Sequence, residues 1–292
     1  MSSGTFHSRD STFITGRIPP AAWVLVAAAV GTVAFGLISR GLIGRYLILP
    51  AEQVVPIAEL ATPFLVAAAV VAGAERWPAG RSRLLMAAAL HALHGVLALT
   101  WDTWFWWSTG NGPGIVSEVE QVLLFGGSLI TWLVGTAATL MLALGLWSTP
   151  SGAWEGGRRL SAVAICALGL VAVAGADWIP LMTSGQLSFP LQALAAVVPV
   201  AITFLGIAAT RSLPSRHRLP EMLIATGASL FVAAMAWSQW FVNATRLENV
   251  AAEWVDLTLI LPRGVMVAGF LVIAAGFASA RLFPVRVRST RG

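Results

Sequence analysis

The sequence predicts an all-α fold, a polytopic membrane helix bundle with about eight transmembrane helices, and three observations predict it. Hydrophobic residues make up 57% of the 292-residue chain and charged residues only 11%, against about 25% charge in an ordinary soluble domain; the mean hydropathy is +0.80. Those apolar residues fall into about eight stretches near the roughly 20 residues that a helix needs to cross a hydrocarbon core about 30 Å thick. The Arg residues sit in short connections and concentrate on alternate ones, as topology demands. A soluble enzyme, a disordered tail and a nucleic-acid module are excluded: the net charge of +5 is dispersed between apolar runs and not gathered on one face.

The first twenty residues, 1–20, form a polar tail that ends at Pro19-Pro20, where the chain breaks before the first span. No short apolar region there ends in a small-residue cleavage site, so no removable signal peptide is expected. The expected spans are Ala21–Ser39, Val54–Ala74, Leu84–Trp106, Val122–Trp147, Leu160–Leu181, Phe189–Thr210, Met222–Val242 and Leu257–Phe283. Together they make one transmembrane helical domain, 21–283, followed by a basic tail, 284–292. No internal repeat or interior linker divides it.

Orientation follows from Arg placement, because cytoplasmic flanks retain positive charge. Arg9, Arg17, Arg76, Arg81, Arg83, Arg158, Arg159, Arg211, Arg216, Arg218, Arg281, Arg286, Arg288 and Arg291 fall on one side, whereas Arg40, Arg45 and Arg246 fall on the other. Eight helices with both termini cytoplasmic satisfy that asymmetry; losing one would scatter the Arg residues across both sides. The expected location is therefore the cell (inner) membrane.

Ionisable groups inside spans are costly and face a bundle interior, a cavity or one another. Glu59, Asp102, Asp177 and Arg263 are the charged candidates, all expected in the outer half of the membrane. Arg263 is the natural partner of Glu59 or Asp102. His91 and His94 are the span histidines, His7 and His217 lying outside the spans. At about 100° per residue, His91, His94, Ala98 and Asp102 share one face of the third helix. That face suits interhelical hydrogen bonding, a proton path or part of a metal site. An i, i+3 pair cannot supply both axial ligands of one haem, and a haem held by two histidines would need another helix, where no other expected span contains His. No metal, cofactor or catalytic residue is assigned.

Other features are more ordinary. With no Lys in the chain, a Schiff-base lysine and a phosphate-loop lysine are ruled out. The single cysteine, Cys166, excludes intrachain disulfides and is expected as a small buried hydrophobe. Small residues spaced by four, Ala225, Ser229 and Ala233 in the seventh span and Gly264 and Ala268 in the eighth, predict close helix approach. Pro180 and Pro262 terminate or kink their helices. Trp101, Trp104, Trp106, Trp107, Trp178, Trp237, Trp240 and Trp254 mark an interfacial belt on the outer side or, around Asp102, a vestibule for an amphiphile. Glu118, Glu120, Glu248, Glu253 and Asp256 make the outer loops acidic, and Asn243-Ala244-Thr245 matches a glycosylation sequon.

The connection after the second span reads Glu75-Arg76-Trp77-Pro78-Ala79-Gly80-Arg81-Ser82-Arg83-Leu84-Leu85. With the preceding run from Pro63 to Ala74, it resembles the inner loops of ABC-type exporter permeases, the transmembrane subunits of those exporters. The resemblance covers this region alone, and the common form of that family has six spans. It implies dimeric transmembrane halves driven by a separate cytoplasmic ATPase docked on inner loops, with Glu75, Arg76, Arg81 and Arg83 transmitting its closure to the helices.

The functional expectation is therefore an integral membrane transport component, in its sharpest form an exporter permease subunit moving an amphiphilic molecule. The expected partners are the lipid bilayer, a cytoplasmic ATPase, and a second copy or a larger membrane complex, with no nucleic acid. The alternatives are a membrane-embedded enzyme or assembly factor with an outward-facing polar site, a sensor using His91 and His94, and a non-catalytic subunit of a larger complex. No nucleotide-binding or nucleophile motif supports an enzyme in this chain.

Overall fold

The computed structural model describes residues 18–43, 51–109, 118–148, 156–176, 189–211, 219–247 and 252–282. They form eight α-helices: α1 (Pro20–Ile43), α2 (Ala51–Gly73), α3 (Arg81–Thr109), α4 (Glu118–Trp147), α5 (Gly156–Ala176), α6 (Phe189–Arg211), α7 (Leu219–Leu247) and α8 (Ala252–Leu282). Two short 3₁₀ turns, Ala74–Arg76 and Pro78–Gly80, join α2 to α3. Each expected span overlaps one of these helices. Six of the helices, α1 to α4, α7 and α8, contain described stretches long and apolar enough to cross a membrane. In α5 and α6 the described apolar stretches are shorter, Leu160–Leu170 and Val197–Arg211. The tails 1–17 and 283–292, with His7, and the charged candidate Asp177 lie outside the described residues, as do His217, Trp178, Pro180 and Glu248.

Helix packing closes a ring. Going round it, α2 packs on α3, α3 on α4, α4 on α6, α6 on α7, α7 on α8, and α8 back on α2. α1 lies outside against α2, and α5 lies outside against α6 and α7. The parallel pair α2 and α8 is held in one register at two levels: Glu59 bonds Arg263, and Gly73, fourteen residues on, abuts the Phe277 carbonyl, also fourteen residues on.

α7 and α8 form the most extensive antiparallel pair. Gly227 there lies against the Gly269 carbonyl, and a Cβ at Gly227 would stand 2.8 Å from the Ile273 backbone nitrogen. Glycine is what allows the two backbones to approach this closely. The close backbone approach thus falls on Gly227 and Gly269, while Ala225 of the expected spacing is buried in the same core. Gly264 has only a Val55 methyl 3.8 Å from where its Cβ would be, and Ala268 is exposed.

The outer faces read as lipid-facing. α1 buries Ala22, Ala29 and Thr32 along one stripe yet leaves Val24 (68%) and Val30 (62%) exposed; α5 buries Ile165 and Ala172 and leaves Leu160 (74%) and Leu170 (70%) exposed. Apolar exteriors of this extent fit hydrocarbon and not water. Cys166 stands on the exposed face of α5 and so is not the buried residue expected; two helix turns that are apolar all round give no sequence signal for which side packs. Inside the helices, Thr32, Thr62, Thr136, Thr139, Thr203 and Thr210 donate their hydroxyl protons to the carbonyl four residues earlier, which satisfies them without water.

Candidate functional site: a blind cavity on the ring axis

The ring encloses a cavity of about 490 Å³ to which all six of its helices contribute. α2 supplies Glu59, Thr62, Pro63 and Val66; α3 supplies His91, His94 and Ala98; α4 supplies Trp132, Gly135, Thr136 and Thr139. Val198, Ala201 and Ile202 of α6, Phe231 of α7, and Met266, Val267 and Phe270 of α8 complete the wall. Its volume lies in the range of small-molecule sites, and its mostly apolar lining with a few convergent polar groups has their character.

One end of the cavity is blind. Along every ring helix, the turn beyond the lining residues is packed into a dry core: Val70, Leu84, Leu142, Leu205, Ile224 and Ile273 are each 0% exposed. Trp77, from the α2–α3 connection, seals the bottom of that core against Phe277 at a ring-centroid distance of 4.8 Å. This is the Arg-rich end of the molecule. Arg281 there donates to the Ala72 carbonyl, and the Arg211 guanidinium stacks 3.8 Å from the Trp147 ring. Towards the opposite end the cavity reaches the level of Glu59, whose carboxylate accepts two hydrogen bonds from Arg263, from Nε at 2.8 Å and from Nη2. The side chains of that pair are 31% and 47% exposed.

Two imidazoles face the cavity from one stripe of α3. His94 Nδ1 lies 2.9 Å from the Thr131 carbonyl of α4. A carbonyl only accepts, so Nδ1 carries the proton, and in the neutral ring Nε2 is left as the lone-pair nitrogen. Room for this ring comes from Gly135, where a Cβ would stand 2.9 Å from His94 Cε1 and Nδ1. His91 is deeper, 3% exposed, edge-on to Phe270 at a centroid distance of 5.9 Å, and its Nε2 is buried without a hydrogen-bond partner among the described residues.

The fold thus brings four sequence-singled residues, Glu59, His91, His94 and Ala98, to one cavity, with Arg263 held at its rim by Glu59. Asp102 is described through its backbone alone, three residues beyond Leu99 in α3, and Asp177 is outside the described residues. Among the described residues no cluster of three His, Cys, Asp or Glu side chains stands ready for a metal. Trp132, Gly135, Pro63 and the three threonines of the wall were not singled out from sequence. Pro63 carried the one usable signal, because a proline inside an apolar span leaves the carbonyl four residues earlier, that of Glu59, without its helical N–H.

The α2–α3 connection divides its charges between interior and surface. Arg76 turns inward and bonds Glu221 of α7 at 2.7 Å, with side chains only 5% and 8% exposed. Glu75 and Arg81 remain on the surface as an open pair at 3.9 Å, and Arg83 reaches Ser148 at the end of α4. Glu221 carried no sequence signal beyond its place in the first turn of α7. No protein family, curated protein or solved structure matches the chain.

Proposed function

We propose that the protein is an integral-membrane transport component that takes a small amphiphilic molecule into the central cavity from the outer side of the cell membrane. In this reading all eight helices cross the bilayer and both termini are cytoplasmic, which puts the Arg-rich, sealed end inside and the Glu59–Arg263 end outside. The observation that carries the reading is the cavity itself, enclosed by six helices from distant parts of the chain and blind at one end. An intramembrane ion pair that served packing alone would need no such space beside it.

Uphill movement then needs a partner, or coupled ions using groups such as Glu59 and Asp102, since the chain has no nucleotide motif. The surface formed by Glu75, Arg81 and Arg83 suits a docked cytoplasmic ATPase, as the resemblance of that loop to exporter permeases implies. Arg76 belongs instead to the anchor of the loop, because its guanidinium is occupied and buried.

The test is extraction of small molecules from the full chain purified in mild detergent, beside the variant Ala201→Trp, which puts an indole into the cavity. An amphiphile recovered in near-stoichiometric amount from the wild type and lost from the folded variant is the expected result. Equal recovery from both would remove the cavity as the binding site.

A further inference from the structure

The polar groups of the cavity are unequally divided between donors and acceptors, and the division specifies a ligand. Thr62, Thr136 and Thr139 line the cavity, and each gives its single hydroxyl proton to a carbonyl of its own helix, at 2.6, 2.9 and 3.0 Å, so none of them has a proton left for a ligand. His94 spends its Nδ1 proton on the Thr131 carbonyl, which makes Nε2 an acceptor. Pro63 withholds the N–H that the Glu59 carbonyl would otherwise receive. On the donor side stand the indole N–H of Trp132 and one ring nitrogen of His91. The guanidinium of Arg263 at the rim is committed to Glu59.

The second independent observation is the orphaned nitrogen. His91 is 3% exposed, lines the cavity, and its Nε2 has no partner among the described residues. Buried polar groups are paired in the great majority of structures, and an unpaired one is a place for something absent. Around it the wall is aromatic: Phe231 and Phe270 stand 4.3 Å apart between centroids, and Phe270 meets the His91 ring edge-on. Such surfaces favour a flat ring in offset or edge contact.

We infer that the cavity binds a neutral phenol with an apolar tail, its hydroxyl donating to the imidazole of His94 and its oxygen within the reach of His91, its ring against Phe231 and Phe270. This rests on the proposed uptake of an amphiphile into the cavity and names its chemical class. The hydroxyl supplies the proton that the acceptor-rich wall lacks. A ketone, ester or ether of the same shape brings a further acceptor to acceptors and leaves the imidazole lone pair unmet, the costly side of hydrogen bonding in a dry site.

The test uses two probes of nearly the same shape, 4-hexylphenol and its methyl ether 4-hexylanisole, with the full chain in phosphatidylcholine nanodiscs. The protein has four histidines, so ¹⁵N-histidine labelling gives a spectrum of four rings, assigned by single His→Gln variants. Titration with 4-hexylphenol is expected to move the ring nitrogens of His94 and His91 and leave His7 and His217 in place. Corrected for partition into lipid, the phenol should bind about ten-fold more tightly than the ether. His94→Gln, which keeps an acceptor, should retain more of that preference than His94→Leu. Equal binding of phenol and ether in the cavity would overturn the donor specificity while leaving an amphiphile site standing. If neither probe moves His91 or His94, the cavity reading falls with it.

Discussion

The two ends of the helix ring each carry an Arg–Glu pair between distant parts of the chain, and they are built on opposite terms. Arg76 and Glu221 meet in the sealed end, with side chains 5% and 8% exposed, beneath a core that includes Trp77 and Phe277. Glu59 and Arg263 meet at the rim of the cavity, where a third to a half of each side chain is open. A charge pair taken out of water pays a desolvation cost that its partner must repay, and the more completely protein encloses the pair the more each group depends on the other. The first therefore fixes structure: it ties the α2–α3 connection to α7, so the loop is drawn into the fold. The second leaves its groups at the rim of a space large enough for a ligand. Equal sequence chemistry has separate consequences because the packing around it differs.

The largest effect that would sharpen this contrast is expected at Glu221. Glu221→Gln takes the charge off the carboxylate that meets the buried Arg76 guanidinium and should cost about 3–5 kcal/mol, read as a fall in the unfolding midpoint during SDS titration from mild detergent. A midpoint like that of the wild type would make the sealed end no more dependent on its pair than the rim.

Next in size is the response of the two ends to a single methyl group. Gly227→Ala drives a Cβ against the backbone of α8 and should destabilise by about 1–3 kcal/mol, because neither helix axis can yield without disturbing the other. Gly264→Ala, with only a methyl 3.8 Å away, meets open space and should raise stability by about 0.5–1 kcal/mol through helix propensity. The same SDS titration reads both, and equal shifts would erase the difference in packing between the two levels.

The smallest effect is expected at the rim, where the pair is only partly enclosed by protein and Glu59→Gln should cost less stability than Glu221→Gln. A loss as large as that of Glu221→Gln would show that the rim pair is a second structural clamp and would take away the contrast altogether.

Several features were legible before any fold was known. The apolar runs placed every described α-helix to within several residues, and the Arg distribution marked one end of the bundle. Glu59 and Arg263 were legible as partners because an intramembrane carboxylate and guanidinium have few other ways to be neutralised. Helical periodicity put His91, His94 and Ala98 on one face, and that face does line the cavity. The surface Arg residues of the α2–α3 loop were legible as charges; the inward turn of Arg76 was not, since its partner lies 145 positions away.

What the sequence by itself determined is therefore a membrane class, a set of helices and the polar face of one of them. The tertiary structure alone decided that α4 closes the ring onto α6 with α5 left outside, that Gly227 and Gly269 bring the backbones of α7 and α8 together, that Cys166 faces outward, and that Gly135 makes room for His94. The reason is physical. In water, an apolar stripe announces which face of a helix is buried; in hydrocarbon the lipid is as apolar as the core, so helices that are apolar all round carry no such mark. Their neighbours are chosen by shape, by the fit of a glycine under a ring or a carbonyl, and shape exists only once the helices have met.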